Sequence, residues 1–426
     1  MANGKGDRFK AFGETLEYLD SLGLFHMDLS LERVRQALAD LGLERPPFVA
    51  VQVLGTNGKG STASFLASLC TAHGCRSGLY TSPHFVSPLE RIRIDGQPPS
   101  EEQWLQAANA LCRRSRPLTY FEWLTALAAL LFRENKADVA ILEAGLGGRY
   151  DATTALKADI LCFTPIAMDH GNILGRTLLR IATDKAAAIR DGAVVVTAAQ
   201  YPSAADCLAH AARKNNAPLH QARPLPRGSR LESGLAGPHQ LINAGLALAA
   251  WRLLAPMLGC DADNAEKQEQ GLRNAFLPGR MQCLTGCGEY PDMLLDGAHN
   301  PHGMKALVEA LRDAGIRPAC AVFTCLADKD WRPAAMLLKR YLGGAPVYIP
   351  TLRNPRAVPA GEAASVWNST APQTARPVDD LSGALSALNG ITATSSVRPV
   401  LLTGSLYLLA EFFALYPAAL TGANNL

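Results

Sequence analysis

The segment from Phe48 to Leu69, FVAVQVLGTNGKGSTASFLASL, constrains the fold more than any other stretch. Val49, Val51 and Val53 predict a strand that stops at Gly55; glycines, Lys59 and two hydroxyls follow, then an apolar-periodic run that predicts a helix. A strand feeding a helix through such a loop offers backbone N–H groups and a helix N-terminus to an anion. Gly55, Gly58 and Gly60 permit close approach, Lys59 reaches toward β- and γ-phosphates, and Ser61 or Thr62 supplies a hydroxyl for Mg²⁺. The spacing departs from the standard phosphate loop: only Thr56 and Asn57 separate Gly55 from Gly58, and Gly60 stands between Lys59 and Ser61. The competing reading is a tight strand-to-helix turn with a surface lysine. The coincidence of glycines, lysine and hydroxyls favours the cradle.

Beyond this unit, apolar strands alternate with helical segments, which predicts an α/β fold with a mostly parallel sheet covered on both faces. Strands are expected at 76–82, 90–96, 137–145, 158–166 and 193–199. Helices are expected within 12–44, with Asp28 or Ser30 as a cap, and at 100–113, 119–133, 178–190, 202–214, 237–258 and 265–275. The pattern loosens around 278–292 and then restarts, so two domains are expected: 1–285 with the nucleotide site, and 286–426 as a smaller Rossmann-like α/β domain. Polar loops are expected at 368–376 and 390–397.

With 426 residues, 48% of them hydrophobic, the chain can bury a sizeable core, and a net charge of +3 gives no argument for a nucleic-acid or acidic-membrane partner. No apolar run is expected to reach membrane-spanning length, and Met1 to Lys10 lacks an apolar signal core. The ten cysteines suggest no disulfide framework. Cys283, Cys287, His299 and His302 come nearest to a zinc pattern, but the gap between the histidines is shorter than such sites use. A reduced, cytoplasmic protein is the expectation.

Open α/β sheets hold ligands at the carboxyl ends of their strands. Ser82 and His84 in TSPH, Glu143 in ILEAGLGG, and Asp169 and His170 in MDH stand at such ends. Glu143, His170 and a loop hydroxyl would suit a hard cation, imidazole being the less usual member; each alone would equally make structural hydrogen bonds. Lys185 in ATDKAAAIR reads as an ordinary surface lysine. Arg280 in LPGRM is either a phosphate-reaching arginine or a solvated linker residue. LLDGAHNPHG places Asp296, His299 and Asn300 between a strand and a helix, as a second ligand site or as a stable Asp/His turn.

LGTNGKGST, GLYTSPH with ERIRIDG, TYFEWLTALA, ILEAGLGGRYDAT, MDHGNILG, TDKAAAIR, GPHQLINA, LPGRM, LLDGAHNP, LADKD, NPRA and GSLYLLAEF run in this order over residues 15–415. Together they resemble the folylpolyglutamate synthase/dihydrofolate synthase family, within the Mur-ligase-like superfamily. The resemblance implies an ATP-dependent amide ligase of folate biosynthesis and one-carbon metabolism. A substrate carboxylate takes the γ-phosphoryl group, and the amine of L-glutamate then displaces phosphate from the acyl phosphate. The acceptor would be dihydropteroate, reduced folates or both. The alternatives are another Mur-like ligase acting on a different carboxylate, such as a cell-wall precursor, or a nucleotide-binding regulator without catalysis.

By motif, the resemblance implies ATP contacts from Gly55, Thr56, Asn57, Gly58, Lys59, Gly60, Ser61, Thr62, Asn243, Arg280 and Asp296. It implies two Mg²⁺ ions held by Ser61, Ser82, Glu143, His170 and Lys185, the lysine being carbamylated by CO₂. Lys59, His170, Lys185 and His299 form the implied catalytic set, and Phe121 and Asp151 would hold a pterin. A monomer is expected. Where family members often read DHTDWLG, this chain reads DHGNILG, with Asn172 and Ile173 replacing a carboxylate and an aromatic. DATN becomes DATT at Thr154, and EKAG becomes DKAA at Ala187.

Overall fold

The computed structural model describes residues 7–23, 29–114, 117–228, 233–286, 290–388 and 398–421. Asp28, Cys287 and the expected loop 390–397 lie outside the described residues. The chain divides into two compact units, Met1–Glu232 with Ile242–Ala275, and Ser233–Leu241 with Phe276–Leu426.

The first unit contains β1 (Val49–Leu54), β2 (Ser77–Tyr80), β3 (Ile92–Ile94), β4 (Val139–Glu143), β5 (Ile160–Phe163), β6 (Val194–Thr197) and β7 (Leu219–Gln221). They form one sheet in the order β3-β2-β4-β1-β5-β6-β7, and only the β2–β3 pair is antiparallel. β1 is buried almost throughout, as a central strand covered on both faces must be. It sets Val53 beside Glu143 of β4 and Leu54 beside Phe163 of β5. The connections leaving β1 and β4 run to opposite flanks, so the ligand crevice falls at the carboxyl ends of β1, β4 and β5.

Local signals explain several helix starts. Ser100 and Gln103 exchange backbone-to-side-chain bonds at 3.0 and 3.1 Å, the capping box that SEEQ predicts. Thr119 and Glu122 do the same before Tyr120–Glu134, whose Trp123 and Phe132 are core residues. At Glu32–Asp40 the cap position is Leu31, and Ser30 instead accepts from the Glu32 N–H at 3.2 Å.

The second unit carries β8 (Gln282–Leu284), β9 (Met293–Asp296), β10 (Cys320–Phe323), β11 (Val347–Pro350), β12 (Ala375–Val378) and β13 (Val400–Thr403), in the order β12-β11-β10-β13-β9-β8. All pairs are parallel except β8–β9, where Gln282 faces Leu295. The expected boundary at 285/286 falls between these two hairpin strands, whose hydrogen bonds keep them in one unit; the division lies at Ala275/Phe276.

The structure also changes some element readings. β7, β8 and β12 were not legible as strands, and β12 begins inside the expected polar loop 368–376. Each is a short edge strand, and β12 carries Pro377. Residues Pro88–Arg91 form a 3₁₀ turn before β3, because Glu90 accepts from the Phe85, Val86 and Ser87 N–H groups. Pro238–Leu258 is, by length and composition, long and apolar enough to cross a membrane, which corrects the expectation that no run is. Its Leu246, Ala247, Ala250, Trp251 and Leu254 are fully buried, as in the core helix of a globular unit.

Candidate active site at the strand ends

The loop after β1 is built for close approach. Gly55 has φ +137°, and a Cβ there would lie 1.9 Å from Thr164 Oγ1. Gly58, φ +88°, opens the helix Lys59–Ala72, and its Cβ would lie 2.3 Å from Asn243 Oδ1. Side chains are therefore excluded at both positions, and Asn243 packs directly on the loop. The Thr56 hydroxyl donates to Ala167 O and accepts from Ala167 N, both at 3.0 Å. Lys59 Nζ donates to Thr56 O at 3.1 Å. Ser61 and Thr62 are buried, and Thr62 Oγ1 has no hydrogen-bond partner among the described residues.

Beside this loop a narrow cavity is lined by Gly55, Thr56, Lys59, Gly145, Leu146, Asp169, His170, Leu174, Ile181 and Lys185. Lys185, read from sequence as a surface residue, is only 4% exposed. Burial, then the nearby charge of Lys59, pushes its ammonium down to about 7, against the pull of Asp151, Asp184 and Asp169. Its helix Leu178–Ala186 can come this close because Gly148 has no side chain: a Cβ would lie 2.6 Å from Lys185 O. The Gly148 N–H also donates to Asp184 Oδ1 at 3.0 Å.

His170 takes a left-handed conformation, φ +51°, at the start of Gly171–Leu174. Its N–H donates to Asp169 Oδ1 at 2.8 Å, and its Nε2 stands 3.9 Å from Asp169 Oδ2. Ile173, one of the departures from the family pattern, is exposed.

Glu143 ends β4 and is buried, with Oε2 accepting from Ser82 N at 2.9 Å. The expected metal residues thus arrive in two sets: Ser82 with Glu143, and His170 with Lys185 in the cavity of Lys59. Among the described residues no three His, Cys, Asp or Glu side chains converge into a metal cage. Mg²⁺ commonly takes one or two carboxylates and completes its shell with phosphate oxygens and water. The Glu143 carboxylate and the unpartnered, buried Thr62 hydroxyl fit that chemistry.

The pterin-side pair divides. Phe121 packs its ring on Gly145, where a Cβ would lie 2.7 Å from Phe121 Cζ, and stands 5.7 Å from the Tyr80 ring. Asp151 is buried with both oxygens engaged: Oδ2 accepts from Leu146 N at 2.9 Å, and Oδ1 from the Thr153 N–H at 3.0 Å and hydroxyl at 2.5 Å. These contacts hold the GLGGRYDAT loop in shape. Sequence reasoning missed one pair nearby. Arg91 Nε donates to His84 Nδ1 at 2.8 Å while its guanidinium lies 5.5 Å from the Tyr120 ring centre. Burial and the Arg91 charge push His84 down to about 3, so the ring is neutral. The motifs TSPH and ERIRI held the signal, but sequence alone does not join them.

In the second unit, Asp296 ends β9 and is buried. It accepts from Met281 N and Ala298 N, both at 2.9 Å, and so ties the LPGRM loop to the AHNP turn. Arg280 lies flat on that turn: Nη1 donates to Gly279 O at 3.0 Å, and a Cβ on Gly297 would lie 2.5 Å from it. His299 Nδ1 is 2.8 Å from Gly297 O; a carbonyl only accepts, so Nδ1 carries the proton. Asn300 caps Pro301–Asp313 by accepting from Gly303 N at 2.8 Å.

The Mur ligase, glutamate ligase domain, matches residues 279–406. Dihydrofolate synthase/folylpolyglutamate synthase of Bacillus subtilis (strain 168) is 32% identical over 435 residues, spanning 95% of this chain and 98% of that protein. The chain belongs to the folylpolyglutamate synthase/dihydrofolate synthase family. Members of known structure agree in fold. E. coli FolC in complex with DHPP and ADP has a TM-score of 0.83 at 29% identity, covering 97% of this chain and 99% of that one. The bifunctional folylpolyglutamate synthase/dihydrofolate synthase from Yersinia pestis, complexed with AMPPNP and Mn ion, has a TM-score of 0.82 at 30% identity, covering 97% and 100%. As a family member the chain is an ATP-dependent ligase with two α/β domains of the Mur-ligase type.

Proposed function

We propose that this enzyme activates the carboxylate of dihydropteroate, of reduced folates or of both as an acyl phosphate, and transfers the acyl group to the amine of L-glutamate. The observation that carries this reading is the cavity that joins the phosphate loop and Lys59 to Asp169, His170 and Lys185. A carboxylate attacking a γ-phosphate brings two anions together, so catalysis rests on alignment and on offsetting their repulsion. Loop N–H groups and Lys59 do this for the phosphates, with Asn243, Arg280 and Asp296 as further nucleotide contacts. His299 meets the incoming glutamate, and Phe121 offers its face to a pterin. Asp151 serves by fixing the loop that carries Gly145 and Gly148, which its hydrogen bonds support.

The bound ligands named for the relatives, ADP, AMPPNP, Mn ion and DHPP, support a nucleotide, a divalent cation and a small acid substrate. Ser61 or Thr62, Ser82, Glu143 and His170 would hold one or two Mg²⁺ ions. When bound, Mg²⁺ supplies charge neutralisation to the phosphates. Lys185 is read as a carbamate: its neutral amine forms an N–C bond with CO₂ and releases one proton. This replaces a cation beside Lys59 with an anion, and its depressed ammonium supports the reaction. A cytoplasmic monomer belongs to the same reading.

The test is glutamate-dependent ADP release by purified protein, with dihydropteroate and tetrahydrofolate side by side. Release with at least one acid, and a product heavier by one glutamyl residue, is expected. No release with either acid overturns the reading.

A further inference from the structure

Cys75 and Cys260 are 185 positions apart in sequence, yet their sulfurs stand 3.1 Å apart. Both are thiols, and both lie in the first unit. Cys75 follows the helix Lys59–Ala72, which starts at the phosphate loop. Cys260 follows the 3₁₀ turn Ala255–Leu258, which continues the helix Pro238–Leu254 carrying Asn243. These two helices already meet at Gly58 and Asn243, so the sulfurs join them a second time at their opposite ends.

We propose that Cys75 and Cys260 form a reversible oxidation site, closed to a disulfide by a small-molecule disulfide of the glutathione type. A disulfide bond is about 2.05 Å long, so the sulfurs need to approach by only about 1 Å. The two side chains differ as an exchange reaction requires. Cys75 is buried, while Cys260 is partly exposed and meets the oxidant first. Burial, then the contact with Cys260, pushes the Cys75 thiol up to about 12, so Cys75 is not the sulfur that meets the oxidant first, and its attack on the mixed disulfide relies on the short distance to Cys260. Cys70, in the last turn of the helix Lys59–Ala72, is wholly buried.

The steps balance. The Cys260 thiolate attacks the small disulfide R–S–S–R, forming a mixed disulfide and releasing one R–S⁻. Cys75 loses its proton to solvent and attacks Cys260 Sγ, breaking the mixed bond and releasing the second R–S⁻. Two protein thiols are oxidised, and one R–S–S–R is reduced to two thiols. A dithiol reductant runs the sequence backwards.

The experiment treats the full chain with oxidised glutathione, alkylates remaining thiols, and maps the peptides by mass spectrometry. We expect a linked Cys75–Cys260 peptide, loss of two titratable thiols, and a thermal midpoint raised by about 5 °C. Dithiothreitol should reverse all three. Cys75→Ser should stop at a stable mixed disulfide on Cys260, and Cys260→Ser should leave Cys75 unmodified. The wild-type peptide map decides the matter even if either variant folds poorly. A persistent mixed disulfide on wild-type Cys260 with Cys75 still a thiol, or no linked peptide at saturating oxidant, overturns the proposal.

Discussion

A carbamate on Lys185 grows from the neutral amine and releases a proton, so its yield at fixed CO₂ pressure must rise with pH through the amine's own titration. With the ammonium at about 7, roughly three-quarters of Lys185 is neutral at pH 7.5, against roughly one part in a thousand for a free lysine. Burial beside Lys59 thus raises the reactive fraction by about three orders of magnitude. The assay is carbon NMR of the protein under ¹³C-labelled CO₂, titrated from pH 5.5 to 9. The carbamate signal should develop at a lower pH than that of a free lysine analogue under the same CO₂ pressure, and it should be absent in Lys185→Arg, whose guanidinium stays protonated. In parallel, Lys185→Ala should lose at least about tenfold in glutamate-dependent ADP release, and a short-chain carboxylate in solution should restore part of it. No signal, a signal developing at no lower pH than that of the free analogue, or wild-type turnover in Lys185→Ala would refute the reasoning.

Four further outcomes can be measured. Without CO₂, the buried Lys185 ammonium penalises the folded state fully below about pH 7, and the penalty fades as pH rises toward 10.5. The interval corresponds to about 5 kcal/mol, so in urea unfolding Lys185→Met should be more stable by about that much at pH 6 and should lose its advantage above pH 10; a pH-independent difference would contradict this. Lys59→Ala should lower kcat/KM by about a hundredfold or more while keeping the thermal midpoint within about 2 °C; an unfolded variant would mean the loop lysine is structural. Gly58→Ala forces a Cβ onto Asn243 at positive φ, a strain of about 1–2 kcal/mol, so calorimetry should show nucleotide binding weakened about tenfold, and unchanged affinity would count against the cradle. Glu143→Gln keeps an acceptor for Ser82 N but removes the charge; the Mg²⁺ needed for half-maximal rate should rise about tenfold or more, and an unaltered requirement removes Glu143 from the metal site.

The strand–loop–helix around Gly55 and Gly58 was legible because its signals are local: a β-branched strand, glycines where positive φ is needed, and a helix behind them. Glu143 and His170 stood out because α/β order gathers the carboxyl ends of one sheet's strands, and Asp296 because it ends β9 in the second unit's own sheet. Pairings across long sequence separations were not. Arg91 with His84, Asn243 on Gly58 and the two sulfurs depend on how helices pack over the sheet. Lys185 looked ordinary because nothing in TDKAAAIR announces that Gly148 lets its helix sink against the next loop. Asp151 was read for a ligand, whereas its oxygens hold backbone N–H groups of its own loop. The strands at β7 and β12 escaped because exposed edge segments need no apolar alternation.

Thr56 grips Ala167 with both its donor and its acceptor, and Ala167 lies three residues before His170. The loop after β1 and the imidazole are in effect bolted to one bracket. Distorting that bracket would misplace both groups together, so a Thr56 variant would present as a single fault with two symptoms, in phosphate grip and in imidazole placement.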